Sequence, residues 1–173
     1  MKPEGKISII PLAGKITVFA FFVSIIIIIF QIVLLVEGLH AITQIGDDTG
    51  THQLYRGQIF QFCDMVINSL VITLTLYFLI RIFRNLKANR FFDPFNIRFI
   101  TLIGYITLTG SVLASAVRII SMWLLPPNDS TFTLFRCLLE IRWPGIFFGL
   151  IILVIGESFR RGEILQKDND LTI

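Results

Sequence analysis

Charge is scarce in this chain, at 16% of 173 residues, and none falls between Ile16 and Val36. With 54% hydrophobic residues gathered into long runs, only loops, a short N-terminal segment and a short tail remain outside them, so no soluble domain is expected. Histidine and cysteine number two each. His40 and His52 share one loop with Asp47 and Asp48, but no spacing there resembles HxxxH, CxxC or a calcium loop, so no metal and no other cofactor is expected. GxSxG, Walker A and HExxH are absent, as is any Cys/His pair at a common depth with an orienting carboxylate. Enzymatic activity is therefore not expected.

What fills the chain is apolar runs. Ile16 to Val36 is long enough to cross a bilayer core as a helix, at a rise of about 1.5 Å per residue. Three more runs follow, the second and third carrying one charge apiece. The expected fold is all-α: a four-transmembrane-helix bundle forming a single integral membrane domain over residues 1–173, with helices near 16–36, 59–82, 99–125 and 138–160. The first run is expected to be retained, because a signal h-region is shorter and no small-x-small cleavage pattern follows Val36.

Lys and Arg divide between the two sides. Lys2, Lys6 and Lys15 precede the first run; Arg81, Arg84, Lys87, Arg90 and Arg98 surround the second connection; Arg160, Arg161 and Lys167 follow the last run. The other two connections carry only Arg56, Arg136 and Arg142 beside several acids. Short basic segments resist translocation, so both termini are expected to be cytoplasmic in a multi-pass cell-membrane protein. The net charge of +3 then belongs to anionic headgroups, with no direct nucleic-acid partner.

Each run has a polar or small stripe. Thr17, Ser24, Gln31 and Gly38 recur every seventh residue; Asp64, Asn68, Val71 and Thr75 share a face of the second helix, and Thr107, Ser111, Ala114 and Arg118 one of the third. The fourth offers Gly145, Gly149, Ile152 and Gly156, a smooth groove for helix packing within the chain or in a homodimer through Gly145 and Gly149. The stripes are expected to face one another. Antiparallel threading brings Asp64 level with Arg118, near Gln31 and Asn68, and predicts that the two charges pair. The pair can simply lock two helices; alternatively Gln31, Asp64, Asn68 and Arg118, with Glu140 or Arg142 beside them, line an outward-open ligand pocket. Cys63 and Cys137 lie at similar depth, where a disulfide is geometrically allowed and two buried, inert thiols are the expected state. Asp129 or Ser130 is expected to cap a helix that Pro144 then kinks, with Pro126 to Asp129 as the preceding turn.

Two segments resemble the signature of a bacterial four-helix membrane family, the domain of unknown function 2975 proteins. Arg90-Phe91-Phe92-Asp93-Pro94-Phe95-Asn96-Ile97-Arg98 leads to Ile103-Gly104, and Gly156-Glu157-Ser158-Phe159-Arg160-Arg161-Gly162 leads to the closing Asp170-Leu171-Thr172-Ile173. The family usually has Gly-x-Pro-Phe where this chain has Asn89-Arg90-Phe91-Phe92. Both segments fall on the cytoplasmic side, where Arg81 or Arg84 is placed to neutralise Glu157, and Phe92 and Phe95 to wedge the loop under the bundle. The resemblance implies the bacterial inner membrane. Members of the family are commonly encoded beside small helix-turn-helix regulators, which implies a regulatory or sensor subunit acting with a cytoplasmic DNA-binding partner. Arg84, Asn96, Arg98, Glu157 and Arg160 would form the partner-facing surface. The alternative is a small oligomeric transporter or channel using Asp64 and Arg118.

The charge asymmetry generates a test of topology. Alkaline phosphatase fused after Lys167 should be inactive and a fluorescent protein fused there bright, whereas a phosphatase inserted between the first two helices should be active. The reverse pattern would overturn the orientation.

Overall fold

The computed structural model describes residues 9–44, 49–88, 94–124 and 134–170. It contains helices α1 (Ile9–Gln44), α2 (Thr49–Lys87), α3 (Pro94–Leu124), α4 (Leu134–Glu140) and α5 (Trp143–Asp170). Four of them, all but α4, are long and apolar enough to cross a membrane. Expectations that involve Lys2, Lys6, Asp47, Asp48, Arg90, Phe92, the Pro126 to Ser130 turn or Leu171 to Ile173 lie outside the described residues.

Proline marks where three helices begin. Pro11, Pro94 and Pro144 each occupy the first turn of α1, α3 and α5, where the missing N–H has no intrahelical acceptor to lose. This corrects the reading of the last run. Instead of one helix over 138–160 kinked at Pro144, the chain forms α4, breaks at Ile141 and Arg142, and restarts as α5, which continues to Asp170. The break keeps its backbone partners: Trp143 N donates to Ile141 O at 2.9 Å, Ile146 N to Arg142 O at 3.2 Å, and Arg142 N to Ser115 Oγ at 3.0 Å.

Backbone contacts run in order, α1 on α2, α2 on α3, and α3 on α5, with α4 touching α3. Among the described residues the backbones of α1 and α5 each meet a single long helix, so α3 and α2 are the inner members. The interior is small and polar. Among the described residues Thr17, Ser24, Asp64, Ser69, Asn96, Ser111 and Ser115 are buried, against only Ile97, Ile103 and Ala114 among apolar side chains, while large aliphatic and aromatic residues cover the outside. Water would reverse this distribution; lipid favours it, because acyl chains solvate Leu and Ile as well as a protein core does.

At the glycines, backbone meets neighbouring backbone most closely between α3 and α5. A Cβ at Gly149 would stand 2.9 Å from the backbone nitrogen of Leu108, and one at Gly156 2.9 Å from Thr101 Oγ1; Gly145 lies against Ser111. Gly104 of α3 receives Leu153 from the other side, a Cβ there standing 2.8 Å from that side chain. The groove offered by Gly145 and Gly149 is thus filled by α3 of the same chain, and a second copy would have to displace it. Ser111 and Ser115 add no exposed polarity, since their hydroxyls donate to Thr107 O and Ser111 O within their own helix.

On the other edge Ser24 Oγ of α1 lies 3.0 Å from Thr73 Oγ1 of α2, Phe21 meets Tyr77, and Gly14 faces Phe83. The seven-residue stripe of α1 therefore faces α2 at Thr17 and Ser24. Gly38 borders open space, with nothing within 4 Å of its would-be Cβ. Cys63 and Cys137 are free, half-buried thiols.

Close backbone approach makes Gly149 the sensitive position. Gly149→Leu should destabilise the protein by about 1–3 kcal/mol or more through overpacking, read as a clear fall in melting temperature in mild detergent. Gly38→Leu, which meets nothing, should leave it unchanged. Equal effects of the two would refute the α3–α5 contact.

Candidate functional site

Asp64 is the one charged residue among the buried side chains of the spans, and it sits on the face of α2 turned to α3. Sequence spacing puts it there. Asp64, Val71, Phe78 and Asn85 recur every seventh residue, and each meets α3: Arg118, Gly110, Phe99 and Asn96 in turn. An antiparallel pair in this register places Asp64 and Arg118 at the same depth, as the threading argument requires. Arg118 donates to Asp64 Oδ2 from Nη2 at 2.9 Å and from Nε at 3.2 Å.

A second guanidinium joins them from the break before α5. Arg142 Nη2 donates to the same Oδ2 at 2.7 Å, and its Nη1 donates to Asn68 Oδ1 at 2.9 Å. Side-chain exposure falls from 38% at Arg118 to 24% at Arg142 and 10% at Asp64, so the carboxylate is the deepest member. Oδ2 accepts three N–H groups, whereas Oδ1 is buried with no hydrogen-bond partner. Glu140, at the end of α4, lies 3.8 Å from Arg118 Nη1, too long for a hydrogen bond but close enough to offset charge.

Depth follows from the helix rise. Asp64 is seventeen residues from Arg81, about 25 Å along α2, and Arg118 is about 30 Å along α3 from Arg98. Against a hydrocarbon core of about 30 Å that begins at those arginines, the node lies toward the opposite edge of the core. A broken helix at that depth is tolerated only where protein satisfies its backbone, which Ser115 does for Arg142 N.

Two cavities meet at this node. An outer pocket of about 370 Å³ is lined by Phe60, Gln61, Asp64, Arg118, Met122 and Glu140, among others. On the opposite side of the node a groove of about 490 Å³ runs between α2 and α5 over α3, with Asn68 and Arg142 at its outer end.

Of the four residues expected to bind a ligand, Asp64, Asn68 and Arg118 converge and Gln31 does not. The pairing of Ser24 with Thr73 puts Gln31 level with Val66, but Thr73 is nine residues from Asp64, half a turn round α2. α1 therefore lies against the far side of α2, and Gln31 lines neither cavity. Its Oε1 is buried without a partner.

The expected cytoplasmic surface is likewise divided. Asn96 is buried and accepts a hydrogen bond from Asn85 Nδ2 at 2.8 Å, tying α2 to α3. Arg84 and Arg98 are exposed. Glu157 bonds to its own helix, with Arg160 Nε at 3.2 Å and Arg161 Nε at 3.3 Å, rather than to Arg81 or Arg84. α5 makes no backbone contact with α2 among the described residues, which is why the arginines of α2 do not reach it; Arg81 instead donates to Tyr77 Oη at 2.9 Å and lies over its ring.

Arg142 is the member that sequence reasoning left in second rank, beside Glu140. Its position after a run and before Trp143-Pro144 is the available signal, since an arginine at a helix start preceding proline cannot sit mid-span on a lipid face.

The model of the family described as "Protein of unknown function (DUF2975)" matches residues 53–173, which includes the whole node. No curated protein and no solved structure matches the chain.

Removing the carboxylate leaves two guanidiniums with Glu140, near Arg118, as the acid beside them among the described residues. Asp64→Leu should cost about 3 kcal/mol, and Glu140→Gln under about 1 kcal/mol, measured by thermal or denaturant unfolding in detergent. Equal effects of the two substitutions would show that the node does not hold the helices together.

Proposed function

The chain belongs to the DUF2975 family, and we propose that this multi-pass membrane protein is a non-enzymatic regulatory or sensor subunit of the bacterial inner membrane, reporting to a cytoplasmic helix-turn-helix regulator. One observation carries the reading: a buried carboxylate holds two arginines, one from α3 and one from the break before α5, on a single oxygen and leaves the other without a partner. A purely structural lock between two helices needs one arginine. The second comes from a helix break and gives the node two arrangements, with Arg142 on Asp64 or on a ligand.

Such an element can carry a signal across the membrane, because α2 and α3 are joined at both ends. Asp64 binds Arg118 at the outer end and Asn85 binds Asn96 at the inner end, so a shift at one end changes the angle at the other. Arg84, Arg98, Glu157 and Arg160 surround that inner end and would present the surface that the regulator reads, with Asn96 holding α3 in register beneath it. The free energy available is the differential affinity of the ligand for the two arrangements, and no more than that.

The helix break also favours a second reading, a transporter, since discontinuous helices accompany substrate sites in that class. Four spans enclose no pore, so this reading requires more than one copy.

Purification of the full-length protein from its native membrane in mild detergent, beside a copy ending at Arg161, tests the proposal. A helix-turn-helix regulator should accompany the full chain and be lost from the shortened one, and Asp64→Asn should alter the yield of the complex. If neither copy retains a regulator, or if Asp64→Asn changes nothing in a folded protein, the sensor reading fails. A strict monomer by size in detergent removes the transporter.

A further inference from the structure

The groove on the inner side of the node has a chemistry of its own. α2 and α5 both lie on α3, but their backbones do not meet among the described residues, so a furrow stays open between them to the surrounding lipid. Its floor is α3 at Thr107 and Ser111; its walls include Val71, Ile72 and Leu76 on one side and Phe148 and Ile152 on the other. The hydroxyl of Thr107 donates to Ile103 O and that of Ser111 to Thr107 O, so the floor presents little free polarity. Only the outer end is charged. Arg142 and Asn68 stand there, Arg142 is the sole charged residue of the lining, and no acid lines the groove.

Arg142 has capacity to spare. A guanidinium has five N–H donors, and among the described residues Arg142 uses two, one on Asp64 and one on Asn68. Its side chain is three-quarters buried, and the N–H groups not used on Asp64 and Asn68 remain open to a further acceptor. Arg118 already supplies two N–H groups to that carboxylate, and Glu140 faces Arg118 from the outer pocket without lining the groove. Arg142 is thus the cation of the groove lining, with N–H donors to spare, at the head of an apolar furrow.

We propose that this groove binds a long-chain fatty acid, with its carboxylate on Arg142 and Asn68 and its acyl chain along α2 and α5. From Asn68 to Leu76 the groove is about 12 Å long, and the remainder of the chain continues into the bilayer through its open side. A carboxylate matches the guanidinium fork in a two-point contact, which strengthens as water is excluded. A single-chain amphiphile with a small head suits Arg142, whose side chain is three-quarters buried, better than a phospholipid, whose bulkier phosphodiester head needs more open room. The carboxylate competes with Asp64 for Arg142, and the tail wedges α5 from α2. This inference names the ligand class of the sensor reading and rests on it for what binding accomplishes; the binding itself is measured on the isolated chain.

The test uses full-length protein in detergent micelles and a photoactivatable diazirine fatty acid, with a diazirine phosphatidylglycerol as the comparison probe. The fatty acid probe should label residues of α2 and α5 that wall the groove. Oleate should compete at least tenfold better than methyl oleate, which has the same chain and no charge. Arg142→Gln should reduce labelling at least tenfold. Ile72→Trp, which fills the groove and leaves every charged residue in place, should abolish it in a protein that keeps its melting temperature. Glu37→Gln, at an exposed position of α1 that lines neither cavity, should change nothing. Equal competition by the ester would show that the groove takes any apolar chain, and preferential labelling by the phosphatidylglycerol probe would make a bilayer phospholipid the occupant; either overturns the proposal. Labelling that persists in Ile72→Trp overturns it as well. These readouts need no regulator, so their failure removes the fatty acid, while failure of co-purification removes the sensor reading.

Discussion

In a bilayer, burying leucine against leucine gains little, because lipid tails already solvate both, and every helix contact must then be made by something lipid cannot offer. Here that is close backbone approach and polar pairing, and both converge on α3. Its face toward α5 is a run of sites where a glycine of one helix admits the other's backbone or side chain, Gly145 on Ser111, Gly149 on Leu108 and Leu153 on Gly104. The face toward α2 carries the polar pairs, Arg118 with Asp64 and Asn96 with Asn85. α2 and α5 take their places from α3 rather than from each other, and the groove between them follows from that.

The node at Asp64 owes its geometry to the same arrangement. Two faces of α3 lie close enough around the helix that the partners on them can meet across its outer end, where Arg142 reaches Asp64 and Asn68. The break between α4 and α5 frees that residue from helical geometry, and Ser115 compensates its backbone N–H. An ionised carboxylate at this depth is sustained by charge-assisted hydrogen bonds rather than by water. Concentrating three of them on one oxygen leaves the node polarised, with spare donors on Arg142 and a spare acceptor on Asp64.

Several sequence expectations survive because they depend on period and length alone. Apolar runs long enough to span, the small-residue stripe of α5 and the common depth of Asp64 and Arg118 all follow from a rise of 1.5 Å and a period of 3.6 residues. Gln31 was misplaced for an equally plain reason. Depth is legible in a sequence, but azimuth around a neighbouring helix is not, and α1 lies against the side of α2 turned away from Asp64. Glu157 fails to meet Arg81 or Arg84 for a similar reason, since inner-end charges at one depth still require adjacent helices, and α2 and α5 are not adjacent at that end.

The amino-acid order by itself determined that this is an all-α membrane protein with four spans, which faces are small or polar, and that a buried acid must find a cation at the end of the spans away from the basic second connection. These are local consequences of hydropathy and helical period, and any antiparallel threading shares them. Only the tertiary structure decided who the neighbours are: that α3 is flanked by α2 and α5, that the last run breaks to send Arg142 onto Asp64, and that a furrow remains between two spans. Neighbour choice in lipid depends on fractions of an ångström of fit between helix surfaces, as at Gly149 and Leu108, and such fit is a property of two surfaces together that neither stretch of sequence encodes alone.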